Sequence, residues 1–238
     1  MLLTANFYLL RYINMEFTQR QKDILETVVE EYIRLAQPIS SQLLEERYDF
    51  GVSPATIRNE MLALSEQGFL MQPHTASGRV PTDKGYRFFV DEILREPKQK
   101  EQEHMFEELG DVFEEAGMIA KNLAGLASVL TAVYLEKKGM LFKEGWEELL
   151  EEPEFDNRST VKNFAKLVEE FEERAGEFPQ GSGIQVFIGR EAPFSNAKEF
   201  SIMIADFSFP EGEKGKVALL GPKRMAYHKN IRLLESLL

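Results

Sequence analysis

The stretch that decides the fold of the N-terminal region is GVSPATIRNEMLALSEQGFLMQPHTASGRVPTDKGYRFFVD, residues 51–91. Ser53 is a residue type favoured as a helix N-cap, and Pro54 suits the first helical position, where a missing N–H costs nothing. Apolar residues then recur at the spacing of a helix, at Ile57, Met61 and Leu64. Such a pattern predicts an amphipathic helix with one buried face.

A short hairpin and a second helix are predicted after this one. Gly68 can end the first helix, and Phe69-Leu70-Met71 has the apolar character of a strand. Residues 73–78 have the Pro and Gly content of a hairpin tip. The chain returns through Arg79, and Thr82 is placed to cap the next helix. Helix, hairpin and helix is the order of a winged helix-turn-helix, a module that binds DNA.

Residues 17–50 predict the helices that precede this stretch. Thr18 and Gln21 have the spacing of a capping box, and the amphipathic segment that follows contains Ile24 and Val28. Ser40 can cap a shorter helix. Three helices with short turns and a hairpin predict a compact winged helix-turn-helix domain over residues 15–95.

Polar residues occupy the predicted helix on the side opposite to its apolar stripe. Thr56, Arg58 and Asn59 can hydrogen-bond to base edges and phosphates, and with Ser53 they are the predicted DNA contacts of this helix. An isolated Arg58 is also consistent with an ion pair to a surface carboxylate. Leu62 is expected to pack against the module.

The hairpin tip supplies the second predicted set of DNA contacts, which comprises His74, Thr75, Ser77, Gly78 and Arg79. We expect Arg79 to contact phosphate or the minor groove, and Gly78 to need a positive φ, which glycine reaches without steric cost. His74 is equally consistent with an ordinary loop residue.

Several segments in this region also match a known family. They are Ile57-Arg58-Asn59-Glu60-Met61, Gln72-Pro73-His74-Thr75, Gly78-Arg79-Val80-Pro81-Thr82 and Asp83-Lys84-Gly85-Tyr86-Arg87. Through them, residues 17–91 resemble the N-terminal domain of the heat-inducible transcription repressor HrcA family. The resemblance implies a repressor of chaperone operons that binds an inverted-repeat operator, and whose activity depends on the chaperonin GroEL.

The charge of the chain constrains how it can bind DNA. Its formal net charge is -12, which by itself argues against a nucleic-acid partner. Residues 1–95 contain 10 Lys and Arg against 13 Asp and Glu. One copy can neutralise few phosphates and is expected to bind weakly. A homodimer on double-stranded operator DNA is therefore expected.

The C-terminal part has a different composition. Residues 96–104 are polar and predict a linker into a domain that covers residues 105–238. Helices are predicted at 100–116, 118–129, 146–150, 161–174 and 225–238, and strands at 129–135, 140–142, 184–188, 200–206 and 216–220. Helices and strands interspersed around one sheet predict an α+β domain.

The resemblance continues faintly in this domain. The segments that carry the resemblance here are Pro153-Glu154-Phe155, Gln185-Val186-Phe187-Ile188-Gly189, Leu220-Gly221-Pro222, Arg224-Met225 and Tyr227. They are similar to the GAF-like C-terminal domain of the family. Between about Leu130 and Trp146 the family carries further strands and an inserted dimerising subdomain, which this chain lacks. The resemblance therefore implies a shortened form, with a reduced GAF-like domain after the winged helix-turn-helix.

Other classes of protein are disfavoured by the composition. The chain has no cysteine and only three histidines, at spacings that predict no metal cluster, and nothing in it predicts a cofactor or an enzyme. Its longest apolar stretch falls short of the roughly 18 residues of a membrane span. No signal peptide is recognised, so a cytoplasmic protein is expected. Residues 1–14 are an extension or a mis-called start, with translation from Met1 or Met15.

The predicted function is sequence-specific repression of heat-shock genes by a dimer on an inverted repeat. Two alternatives stay open: a winged module that binds another protein, and a regulator that responds to a small ligand held by the GAF-like domain. The apolar stripes offered for the dimer contact are Leu123, Leu126 and Leu130, or Phe164, Leu167 and Phe171. Each stripe is more often simply part of a core.

Overall fold

The computed structural model describes residues 17–73, 78–96, 112–178, 181, 183–209 and 212–238. Within these ranges the fold is mixed α+β. The chain divides into two compact units, Met1–Gly85 and Tyr86–Leu238. The predictions made for residues 1–14, most of the linker, and His74, Thr75 and Ser77 lie outside the described residues.

Three capped helices form most of the first unit. They are α1 (Gln19–Leu35), α2 (Ser41–Arg47) and α3 (Pro54–Glu66). The side chain of Thr18 accepts a hydrogen bond from the N–H of Gln21 and completes a capping box, as predicted. Ser40 and Ser53 cap the other two helices through their hydroxyl oxygens. The local start signals in the sequence are therefore confirmed.

A two-stranded hairpin follows α3. Its strands are β1 (Leu70–Met71) and β2 (Val80–Pro81), which pair antiparallel. Helix α4 (Asp83–Arg95) comes next, and the Thr82 hydroxyl accepts from the N–H of Gly85 at 3.2 Å. This helix begins in the first unit and continues into the second.

The first unit has an apolar core and one buried ionic cluster. The apolar residues include Ile24, Val28, Leu44, Ile57, Leu64 and Phe69. Glu31 of α1 is buried and accepts hydrogen bonds from Arg34 at 2.7 Å, Arg47 at 2.8 Å and the Tyr48 hydroxyl at 2.7 Å. The hydrogen bond to Glu31 raises the pKa of Tyr48 to about 12. This cluster ties the end of α2 to α1.

The second unit is built on a five-stranded antiparallel sheet. Its strands are β3 (Leu130–Leu135), β4 (Met140–Glu144), β5 (Ile184–Ile188), β6 (Phe200–Ser208) and β7 (Lys214–Pro222). Their order across the sheet is β4-β3-β7-β6-β5. All five strands lie where short apolar runs predicted them, and β4, β6 and β7 extend further than predicted.

Helices pack on this sheet and close its core. They are α5 (Val112–Ala127), α6 (Trp146–Leu150), α7 (Arg158–Arg174) and α8 (Tyr227–Glu235). Phe164 of α7 lies with its ring centroid 5.0 Å from that of Phe200 and 5.2 Å from that of Phe155. Helix α5 runs without interruption through Gly117, so the predicted break at residue 117 is wrong. Burial on the sheet outweighs the low helix propensity of one glycine.

The two apolar stripes offered for the dimer contact lie mostly in this core. Leu123, Leu130, Phe164, Leu167 and Phe171 are all buried, and only Leu126 is exposed. Five of the six residues are therefore unavailable to a second chain, because they pack inside the unit.

Candidate nucleic-acid interface

Helix α3 is held by the two helices that precede it. It packs against both α1 and α2, with Ile57, Met61 and Leu64 buried as predicted. Glu60 on its flank accepts a hydrogen bond from Gln21 Nε2 at 3.0 Å and lies 3.6 Å from Arg20 Nη1. These contacts fix which side of α3 faces outward.

The outward side of α3 is a single exposed face that carries both polar and apolar side chains. Its exposed residues are Ala55, Arg58, Asn59, Leu62 and Glu66, which lie three or four positions apart and so share one side of a helix. Within the described part of the chain, Arg58 and Asn59 form no hydrogen bond or ion pair. The alternative of an ion pair for Arg58 is therefore not found there, and both side chains present their donors and acceptors to solvent.

Leu62 belongs to this outer face and not to the core. Its side chain is 47% exposed, so the prediction that it packs against the module is wrong. Leu62 lies four residues after Arg58 and three after Asn59, which places it on their side of the helix. In the sequence, the spacing of Leu62 from Arg58 indicated an exposed position. Its apolar character indicated a buried one.

The start of α3 is held by a local network. The Ser53 hydroxyl accepts from the N–H of Thr56 at 3.3 Å and lies 3.0 Å from the Thr56 hydroxyl. In the preceding turn, Gly51 has φ +64° and donates its N–H to Asp49 Oδ1 at 2.9 Å. Ser53 and Thr56 thus shape the helix start at the edge of the outer face.

The return strand of the hairpin is fixed to the segment between α1 and α2. Ile39 and Arg79 exchange two backbone hydrogen bonds, each 2.8 Å long. Gly78 does not have the positive φ that was predicted. Instead, the absence of a side chain at Gly78 lets the hairpin approach the backbone at Pro38. A Cβ at Gly78 would lie 2.6 Å from the carbonyl carbon of Pro38.

Arg79 reaches towards α3 from this strand. Its Nε donates to the Ser65 hydroxyl at 3.0 Å, and that hydroxyl donates to the Met61 carbonyl at 2.8 Å. Arg79 is half-buried. Ser65 is a contact that the sequence gave no reason to expect, because it depends on how the hairpin folds back on α3.

Few basic side chains in the first unit are both exposed and unpaired in the described residues. Lys84 lies 4.0 Å from the Phe69 ring centroid and donates to the Gln67 carbonyl at 2.8 Å. Glu31, one of the acidic residues counted against DNA binding, is buried and neutralised by two arginines. The cationic group left on the outer face of α3 is Arg58.

The described ranges lack the features of a metal centre and of a membrane span. No group of three or more His, Asp or Glu side chains is arranged there to hold a metal ion. No helix in those ranges is long and apolar enough to cross a bilayer. Strand β7 ends at Pro222, and in the turn after it the guanidinium of Arg224 hydrogen-bonds to Glu152 and Glu154.

Comparison with known proteins defines the class as transcription regulators. A heat-inducible transcription repressor HrcA from Natranaerobius thermophilus is 26% identical, with 94% of this chain and 95% of that protein covered. The protein of the same name from Thermoanaerobacter sp. is 43% identical over 117 residues, 49% of this chain and 34% of that protein. A hypothetical protein of known crystal structure shares the fold at a TM-score of 0.78 and 21% identity, over 93% of this chain and 96% of that one.

The model of the HrcA protein C-terminal domain matches residues 87–231, more than half of the chain. This protein belongs to the HrcA family. The alignment with the Natranaerobius relative spans 328 positions, at least 90 more than the 238 residues of this chain. That difference fits the predicted shortened form. Where the missing segment was expected, the chain has only the β3–β4 hairpin before α6.

Proposed function

We propose that this protein is a DNA-binding repressor of heat-shock genes, in which residues 15–95 act as a winged helix-turn-helix and α3 reads the operator. The observation that carries the proposal is the outer face of α3. Arg58 and Asn59 are exposed there without partners in the described residues, on a helix that α1 and α2 hold in place. The family and the names of the relatives support it.

Each side chain of the proposed interface has a defined chemical role. Arg58 can donate two hydrogen bonds to guanine O6 and N7, and Asn59 can bond to adenine N6 and N7. Ser53 and Thr56 lie at the helix start and would contact phosphate or flanking bases. In the hairpin, His74, Thr75, Ser77, Gly78 and Arg79 remain the proposed wing contacts. The half-buried Arg79 would use the nitrogen atoms that do not bond to Ser65.

Two copies are needed for tight binding. With Arg58 as the cation on the outer face of α3, one protomer neutralises few phosphates, and affinity for DNA depends strongly on that number. A two-fold dimer places one recognition helix in each half-site of an inverted repeat. The chaperonin GroEL, implied by the family resemblance, is kept as a proposed regulatory partner of the second unit.

The experiment that tests this function is a binding series on the inverted repeat upstream of the gene itself. The full chain should bind that duplex at least about a thousandfold more tightly than scrambled DNA. Asn59→Ala should lose about 1–3 kcal/mol of discrimination at one base pair of each half-site. If Asn59→Ala loses equal affinity for operator and scrambled DNA, Asn59 does not contact bases specifically. If the full chain shows no preference for the operator, the proposed function is refuted.

A winged module that binds a protein is the second candidate, and the exposed apolar residues Leu62 and Met71 favour it. Binding to DNA and binding to an apolar protein surface differ in their salt dependence. The DNA affinity should fall steeply with added salt because counterions are released. A partner held through Leu62 and Met71 would show little change.

A further inference from the structure

The two edge strands of the five-stranded sheet, β5 and β4, differ in their hydrogen bonding on the side away from the sheet. At the β5 edge, Arg87 Nη2 donates to the Val186 carbonyl at 2.6 Å, and Glu191 Oε2 accepts from the N–H of Ile188 at 2.9 Å. Burial lowers the pKa of the Arg87 guanidinium, but its hydrogen bond to Glu191 and that carboxylate's charge outweigh burial and raise it. A charged pair, in which the guanidinium is buried and the carboxylate partly exposed, thus covers this edge.

The β4 edge has no such cover among the described residues. On the side away from β3, no backbone group of β4 bonds to any residue in the described ranges. Met140 at its start is 44% exposed. An open edge strand offers unpaired N–H and C=O groups that another strand can bond.

The helices that precede β3 and follow β4 in the chain carry exposed apolar side chains. Met118 and Leu126 lie on the outer side of α5, and Trp146 and Leu150 lie on α6. Helix α5 packs against β4, with the Phe113 and Phe142 ring centroids 6.5 Å apart. Exposed apolar side chains on helices beside an unpaired strand can add apolar area to a contact made along that strand.

The charges at the two ends of β4 are opposite in sign. Lys137 and Lys138 are exposed in the turn before the strand, where Lys137 Nζ also donates to the Gly212 carbonyl at 3.0 Å and Lys138 Nζ lies 5.7 Å from the Phe113 ring centroid. Glu144 and Glu147 are exposed at the end of the strand and just after it. In an antiparallel pair, the start of one strand lies beside the end of the other. Two β4 strands paired in this way would therefore bring the lysines of each copy to the glutamates of the other.

We propose that β4 of one copy pairs antiparallel with β4 of a second copy about a two-fold axis, joining two five-stranded sheets into one. The open edge supplies the backbone bonds, the flanking apolar residues supply buried area, and the end charges select a second copy of this chain. This inference rests on the two-copy part of the proposed function and names its contact surface. The surface would replace the one that the family's inserted subdomain provides.

The test is sedimentation of the full chain, without DNA, for the wild type and two charge-reversed variants. One variant combines Lys137→Glu with Lys138→Glu, and the other combines Glu144→Lys with Glu147→Lys. The wild type should sediment as a dimer. Each variant alone should dimerise at least about a hundredfold more weakly, because like charges then meet at both ends of the strand pair.

Mixing the two variants provides the rescue. In the mixed dimer, opposite charges meet at both ends again, so the mixture should sediment as a dimer although neither component does. That recovery also shows that both variants are folded. As a matched control, Lys162→Glu with Lys166→Glu changes two exposed lysines of α7 and should leave the dimer unchanged.

Three results would overturn the proposal: a monomeric wild type, variants that dimerise as tightly as the wild type, or a mixture that stays monomeric. None of them depends on DNA. A dimer that behaves as expected but shows no preference for the operator would leave the β4 interface standing and refute only the proposed function.

Discussion

Basic side chains on the outer face of α3 and in the second unit lie in opposite environments. Arg58 on α3 is exposed and has no partner in the described residues. In the second unit, Arg87 and Arg224 are buried against carboxylates, and Lys216 is buried between Asp206 and Glu136. These three cations of the second unit hold the sheet and its connections together, whereas Arg58 of the first unit stays available to a ligand within the described part of the chain.

The largest expected effect is on stability, from Arg87→Ala. Removal of this guanidinium leaves Glu191 and the Val186 carbonyl without their buried donor, and breaking a buried pair costs about 3–5 kcal/mol. Since Glu191 is partly exposed, we expect about 3 kcal/mol. The single tryptophan, Trp146, lies in this unit, so its fluorescence during urea unfolding gives the value.

Arg174→Ala is the control for that experiment. Arg174 pairs with Glu177 and donates to the Pro193 carbonyl at 2.7 Å, but both members of the ion pair are exposed, so its loss should cost about 1 kcal/mol, well below that of Arg87. Similar losses for Arg87→Ala and Arg174→Ala would show that burial is not what makes the Arg87 pair important.

The next largest effect is expected from Gly78→Ala. The added Cβ would lie 2.6 Å from the Pro38 carbonyl carbon, and relief of such a clash costs about 2 kcal/mol. The hairpin should move away from Ile39, which weakens operator binding in a gel-shift titration. The same change at Gly117, where a Cβ meets nothing closer than 3.9 Å, should preserve binding. Normal binding by Gly78→Ala would contradict the close-approach explanation.

Arg58→Ala should weaken operator binding with little effect on stability, whereas Arg87→Ala should mainly lower stability. Operator affinity should fall by about tenfold, which corresponds to one good base or phosphate contact. Stability should change by no more than about 0.5 kcal/mol, because the side chain touches nothing that holds the fold. Lys166→Ala removes an exposed cation from α7 and should alter neither quantity. A stability loss above that range, with affinity intact, would make Arg58 structural.

The smallest effect is expected from Tyr48→Phe. The pKa of Tyr48 is raised from 10.0 to about 12, so its protonated hydroxyl stabilises the fold below pH 10, and this contribution is lost as the pH rises through 12. Loss of the hydrogen bond should cost about 1 kcal/mol or less. An absorbance titration of the phenols should show one late-titrating tyrosine that is missing in Tyr48→Phe; an unchanged curve would contradict the Glu31 contact.

Local signals in the sequence were sufficient for the helices of the first unit. Thr18, Ser40 and Ser53 cap the helices that they were predicted to cap, because a cap depends only on residues within one turn. The strands of the second unit were found for a similar reason, since a short apolar, partly β-branched run is a property of a few adjacent residues. The polar residues of α3 also followed from their spacing to the buried stripe.

Only the tertiary structure decided which surfaces those elements share. The sheet order β4-β3-β7-β6-β5 places one edge under Arg87 and leaves the other without a partner among the described residues, although nothing local distinguishes β4 from β5. The role of Gly78 depends on Pro38, forty residues earlier, and five of the six residues offered for the dimer contact proved to be core. Sequence alone therefore determined the helices, the strands and the polar face of α3, since these arise from neighbours along the chain. The open edge, the buried ion pairs and the use of Gly78 arise from contacts between distant segments, which only the packed fold brings together.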